Sequence, residues 1–196
     1  MAKTANKGFF FREGLNGLEH VGNLEVIIAG SATVTIGDLV RVNNAGLLVT
    51  CAAGEAVAGV LTGIVTKDGV SAFSPRAEST SIAGATITGD DTITTASDNA
   101  SNAAKNLKGQ IIPDVSGQIL FYNDADNTLA QTNLFQMFDV ANGDQVTVGG
   151  ASDSNGQVQL MAIDPDGDGD VSKGLFRIAE NQYGIGIDTG TAKVAA

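Results

Sequence analysis

Residues 164–172, Asp-Pro-Asp-Gly-Asp-Gly-Asp-Val-Ser, hold the densest set of chemically capable side chains in the sequence. Asp164, Asp166 and Asp168 alternate ahead of Gly169, a D-x-D-x-D-G spacing that can wrap oxygen ligands around Ca²⁺ because the glycine permits a sharp turn. Asp170 adds a backbone carbonyl, Ser172 a hydroxyl or a bridging water, and Val171 would pack beneath. This is the first half of an EF-hand spacing, but the twelfth position is Leu175, where such a loop needs a bidentate Glu. The flanks VQLMAI and LFRIAE are strand-like, not helical. Two readings stand. One is a Ca²⁺ loop set in a β-hairpin, weak at roughly 10⁻⁴–10⁻³ M; the other is an acidic turn in solvent that holds no metal. Only Lys173 and Arg177 lie nearby in sequence to offset the four carboxylates.

Elsewhere the residue types exclude more than they suggest. Cys51 is the only cysteine, so an intrachain disulfide and a cysteine-based zinc site are both ruled out, and it reads as a small apolar side chain beside a strand. His20, the only histidine, has no Asp or Ser at a recognisable spacing. There is no G-x-S-x-G, no P-loop and no G-x-G-x-x-G after a strand. Carboxylates are plentiful, yet nothing singles out a glycosidase pair. A non-enzymatic protein is expected. Eleven Lys and Arg against twenty-two Asp and Glu give a formal charge of −11, which argues against nucleic acid as the main partner. No apolar run has the length of a membrane span, and Phe9-Phe10-Phe11 is followed at once by Arg12-Glu13, unlike a signal peptide. Synthesis in a cytoplasm, with no membrane partner, is the expectation.

Low charge and abundant Gly, Ser, Thr, Asn and Ala favour an all-β chain with exposed loops. The segment 34–66 is the most consistently β-patterned. Strands are expected over Val34 to Val42, Leu47 to Cys51 and Val57 to Val65, separated by turns at Asn43–Gly46 and Ala53–Glu55. Three short strands in about thirty residues predict a small, tightly curved, barrel-like β-module. Leu24 to Ile28 is a further strand, and Thr86–Thr88 with Thr92–Thr94 is a hairpin around Gly89-Asp90-Asp91. Residues 95–109 are small and polar, either a loop or a short helix capped at Ser97. Strand character resumes at Ile111-Ile112, Ile119 to Tyr122, Gln145 to Val148 and Gln157 to Ile163. Leu129, Leu134, Phe135 and Phe138 fit a short helix or a strand. The resulting layout is an extended N-terminal arm at 1–22, a barrel-like lobe at 23–95, a linker at 96–110 and a second β-rich lobe at 111–196. Phe9, Phe10 and Phe11 admit two readings, a docking arm that inserts into a partner or a first edge strand packed on its own domain.

The block TIGDLVRVNNAGLLVTCAAGEAVAGVLTGIV has the order G-D-apolar-V, G-apolar-V, then A-x-x-G-x-x-V-x-G-V, and resembles the small β-rich decoration (cement) proteins of tailed-bacteriophage heads. GQILFYNDADNTLAQTNLFQMFDV at 117–140 and VQLMAIDPDGDGDVSKGLFRIAEN at 158–181 look like phage structural proteins of similar length. The three blocks cover under half the chain, and none is a catalytic signature. The resemblance implies a virion protein on the capsid surface, bound to the major capsid protein, assembling as a homotrimer and stabilising the shell. Phe9, Phe10 and Phe11 would then be the partner-binding residues, since aromatics dominate interface energetics. A tail-tube or fibre subunit is the nearest alternative. A Ca²⁺-dependent binding module, for instance for carbohydrate, is another, weakened by the lack of Trp.

Overall fold

The computed structural model describes residues 8–14, 22–74, 82–89, 91–114, 117–141, 143–150 and 156–182. Within them the chain is all-β, as the strand runs and turn signals predict. The strands are β1 (Phe10–Gly14), β2 (Leu24–Ile27), β3 (Thr33–Thr35), β4 (Leu39–Val42), β5 (Leu48–Thr50), β6 (Gly59–Val65), β7 (Thr86–Thr88) and β8 (Thr92–Thr94). They continue with β9 (Lys108–Ile112), β10 (Ile119–Asp124), β11 (Met137–Phe138), β12 (Val140–Ala141), β13 (Gln145–Val146), β14 (Val158–Ile163) and β15 (Lys173–Ile178). The only helical pieces among the described residues are two 3-10 turns, Gln131–Asn133 and Val148–Gly150. Among the described residues no helix is long and apolar enough to cross a membrane.

The first lobe is an antiparallel sheet in the order β2-β9-β6-β4-β5, with a smaller sheet β3-β8-β7 beside it. The larger sheet is curled: Ile28, just after β2, bridges in parallel to Leu48 at the start of β5, and Ala29 donates its N–H to the Leu48 carbonyl at 2.9 Å. The two edges of the sheet therefore meet. A bulge between Leu61 and Gly63 adds to the twist of β6 against β9. The Asn43–Gly46 turn is closed by the Asn43 side chain, which accepts the N–H groups of Ala45 and Leu47.

Adjacent apolar pairs explain how this sheet sits. Successive side chains of a strand point to opposite faces. Val40, Leu61 and Ile111 enter a core with Ile28, Val34, Leu48, Ile64 and Ile93. Their neighbours Leu39, Val60 and Ile112 turn the other way, into a second core with Phe9, Phe121, Phe138, Leu160 and Phe176. The sheet is buried on both faces, and its other face is cemented to the second lobe. Each such side chain contributes about 1.5–3 kcal/mol.

The second lobe is the sheet β1-β10-β15-β14-β11 with the two-stranded β12-β13 alongside. Phe176 lies at the middle of its core, edge-on to Phe9 at 6.3 Å and to Phe138 at 6.2 Å. Gln157, fully buried, stitches the lobes together. Its Nε2 donates to the carbonyls of Ala52 and Glu55, and its Oε1 accepts from Val140 N–H, all at 2.9 Å.

Three boundaries differ from the sequence reading. The run Val34 to Val42 is two strands, because Gly37 turns the chain at φ 98°. The first lobe does not end at 95: β9 lies between β2 and β6, so the lobe runs on to Ile112, and the supposed linker at 96–110 is part of it. Of the two readings for residues 95–109 the loop holds: residues 97–105 form turns, pinned by buried Asn99, whose amide bonds the carbonyls of Ile28 and Leu107 and the N–H of Leu107. At the N-terminus, residues 10–14 run as β1 along the edge of the second sheet, with Phe9 in the core.

Candidate functional site: the acidic hairpin loop and the first strand

The loop joining β14 to β15 is the acidic motif. Asp164 enters it in the left-handed region, φ 46°, which Asp tolerates better than most residues. Its carboxylate accepts the N–H groups of Asp168 at 3.0 Å and Gly169 at 2.9 Å. Asp168 accepts the Asp170 N–H at 3.0 Å with one oxygen and the Lys173 ammonium with the other. Asp170 accepts the N–H of Ser172 at 3.1 Å and its hydroxyl at 2.6 Å, and lies 3.8 Å from Lys173 Nζ. Asp166 reaches out of the loop to Arg12 on β1, at 3.3 Å.

The electrostatics follow from these contacts. The Lys173 ammonium, first, and the Asp170 N–H hold the Asp168 carboxyl down at about 2. The Ser172 hydroxyl, then its N–H, lower Asp170. Lys173 is only 4% exposed, so the loop closes over its ammonium. Asp164, Asp166, Asp168, Asp170 and Ser172 are thus not brought together as a ligand set. Their oxygens are taken by backbone N–H groups, by Ser172, by Lys173 and by Arg12. Among the described residues no group of three or more His, Cys, Asp or Glu side chains is arranged to hold a metal ion. Lys173 was visible in the sequence as a neighbour; Arg12, from the far end of the chain, was not.

Phe9, Phe10 and Phe11 part company. Phe9 is 1% exposed, in the shared core. Phe10 pairs across from Tyr122 on the sheet's outer face and is 42% exposed; Phe11 pairs across from Phe121 and is 37% exposed. The register shifts between Phe11 and Glu13, so Arg12 sits at a bulge, from which it meets Asp166. Among the described residues no strand pairs with the other edge of β1. Tyr122 behind Phe10 has its phenol pushed up by burial and then by its hydrogen bond to Asp124. β1 therefore meets the acidic loop through Arg12, and the two partly exposed rings that precede it, Phe10 and Phe11, point to opposite faces of the strand.

The remaining candidates carry no chemistry of this kind. Cys51 is buried, and that burial, with the charge of Glu55, pushes its thiol up to about 12, so it is not a nucleophile. His20 lies outside the described residues. One residue was passed over in the sequence: Asp38, buried between the lobes, whose carboxyl burial pushes up to about 7. Its only advance signal is the G-D dipeptide ahead of an apolar run. In comparisons with family models, curated proteins and solved structures, nothing matches the chain.

Proposed function

We propose that the protein is a non-enzymatic structural subunit of a tailed-phage virion that decorates the outer surface of the capsid and stabilises it. The observation that carries this reading is the pair Phe10 and Phe11, exposed on a strand edge that no described strand pairs and that Phe9 anchors in the core. Exposed aromatics are typical interface anchors. An open edge can add main-chain hydrogen bonds to an extended partner segment. Because β1 is already paired to β10, little ordering entropy is lost on docking. The resemblance of the block at 35–65 to capsid decoration proteins supplies the partner, the major capsid protein, and a homotrimeric assembly. Repeated over a shell, modest contacts from each subunit add up through multivalency. The charge of −11 disfavours packaged nucleic acid as the attraction and suits an outward-facing subunit.

Deleting residues 1–22 is a poor test, since it removes Phe9 from the core. The discriminating experiment is co-sedimentation of purified protein with capsid shells that lack it, comparing wild type with Phe10→Ser/Phe11→Ser. Wild type is expected to saturate the shells, and the double variant to bind at least about tenfold more weakly while melting normally. Equal binding by both would remove β1 as the anchor. Failure of the wild type to bind would remove the capsid role itself.

A further inference from the structure

Away from the acidic loop, three segments converge on the turn between β3 and β4. Phe9 donates its N–H to Gly37 at 2.7 Å and Gly8 donates to Asp144 at 2.8 Å. Leu39 donates to Gly143 at 2.7 Å, and Leu61 donates to the Asp38 carbonyl at 2.9 Å. Gly8 and Gly37 lie back to back, at φ 104° and 98°, where a methyl on either would stand 3.0–3.1 Å from the other's Cα. Buried Asn123 ties the far side: its Nδ2 donates to the carbonyls of Gly8 at 2.9 Å and Asp144 at 3.0 Å, and its Oδ1 accepts the Val146 N–H.

In the middle of this junction sits the Asp38 carboxyl, 4% exposed. One oxygen, Oδ2, accepts both the Thr35 N–H at 2.8 Å and the Thr50 hydroxyl at 3.3 Å. The charged groups facing it are Asp144, from the β12–β13 turn, and Asp91, from the β7–β8 turn, and both are acidic. The nearby Cys51 thiol is neutral. Among the described residues no Lys or Arg forms an ion pair with Asp38.

We propose that Asp38 is a proton-operated latch on the N-terminal strand. With its proton, the carboxyl lets Gly8–Phe9 and the 143–144 turn close on the Thr35–Asp38 turn. Without it, a buried negative charge faces two others and the hold on Gly8–Phe9 weakens. The inference is independent of what β1 docks to.

The direction of the pH response follows from the carboxyl's surroundings. Burial raises Asp38 from its ordinary 3.8 to about 7; the Thr35 and Thr50 bonds oppose this, and the charges of Asp144 and Asp91 add to it. A carboxyl that opens to water titrates near its ordinary value. Below about pH 4 both forms are protonated and the latch is fully closed. From there to about pH 7 the open form gives up its proton while the closed form keeps it, so the opening constant rises by up to about tenfold per pH unit. Above about 7 it levels off.

Hydrogen exchange read by mass spectrometry tests this. The exchange of Gly8 and Phe9 amides is measured at pH 5, 6, 7 and 8 as a ratio to the exchange of the same residues in an unstructured peptide of that sequence, which cancels the intrinsic pH dependence of exchange. In the wild type the ratio is expected to rise by at least about tenfold between pH 5 and 7. In Asp38→Asn, whose amide oxygen can still accept the Thr35 N–H, the ratio should be flat. Asp144→Asn, which removes one facing charge and leaves Asp38 in place, should end the rise at a lower pH and so lower its midpoint: the closed carboxyl ionises more easily, while the open form, which sets where the rise begins, is unchanged. A pH-independent ratio in the wild type, or an unchanged rise in Asp38→Asn, would overturn the latch; should Asp38→Asn not fold, an unmoved midpoint in Asp144→Asn does so instead.

Discussion

The first strand connects two acidic regions that behave in opposite ways. At its entry, Gly8 and Phe9 close over Asp38, a carboxyl shut between the lobes with acidic neighbours. At its exit, Arg12 reaches the hairpin loop, where four carboxylates stand within seven residues of one another. Charge density alone would make the loop the strained region. The reverse holds. The loop is open to water and supplies a donor for its carboxylates, so Asp168 and Asp170 are held below the ordinary carboxylate range. Asp38 has two donors but little water, and its pKa rises. Solvent and donors, more than the number of acids, decide which region resists ionisation.

Substitutions can break this contrast in order of size. Phe9→Ala should be the most damaging, costing about 3–5 kcal/mol in chemical denaturation because it opens a cavity against Phe176. Phe10→Ala and Phe11→Ala, one or two residues on, should each cost under about 1 kcal/mol. If all three cost the same, β1 is not divided into a buried entry and an exposed exit. Asp164→Ala should cost about 1 kcal/mol, or a Tm decrease of about 2–4 °C, since two loop N–H groups lose their acceptor to water. Smallest of all is the expected response to Ca²⁺: with the loop carboxylates already engaged, millimolar Ca²⁺ should leave the Tm unmoved. A rise that Asp164→Ala abolishes would show that the loop rearranges around the ion.

Much of the architecture was legible because its signals are local. Asn43 to Gly46 carries its own turn chemistry, and the β7–β8 hairpin is written in two Thr-Ile-Thr strands around Gly89. The adjacent apolar pairs Leu39-Val40, Val60-Leu61 and Ile111-Ile112 read as strands, but which neighbour enters which core depends on partners far along the chain. The limits of the first lobe were hidden for the same reason. Asn99 looks like any polar loop residue until its amide is seen bridging Ile28 and Leu107. In the acidic motif, spacing revealed ligand-capable oxygens but not the donors that would occupy them. Arg12 comes from β1, and whether Lys173 points outward or under the loop is a matter of strand register. Asp38 was illegible as a site because a Gly-Asp turn is ordinarily exposed, and only the docking of the second lobe buries it.

The contrast between junction and loop is tested most directly by denaturation of the wild type and Asp38→Asn from pH 2.5 to 8.5. Carboxylates whose values are lowered on folding, Asp168 and Asp170 among them, stabilise the fold above the ordinary carboxylate range, and that contribution is lost as pH falls. Asp38, raised on folding, acts with the opposite sign: its contribution is complete below about 4 and is lost as pH rises to about 7, at up to about 1.4 kcal/mol per unit. The predicted result is a wild-type maximum near pH 4–5, declining toward neutrality, and an Asp38→Asn variant that keeps the acid limb but stays level from pH 5 to 8. A wild-type stability that is flat or rising across that neutral range, matched by the variant, would contradict the account.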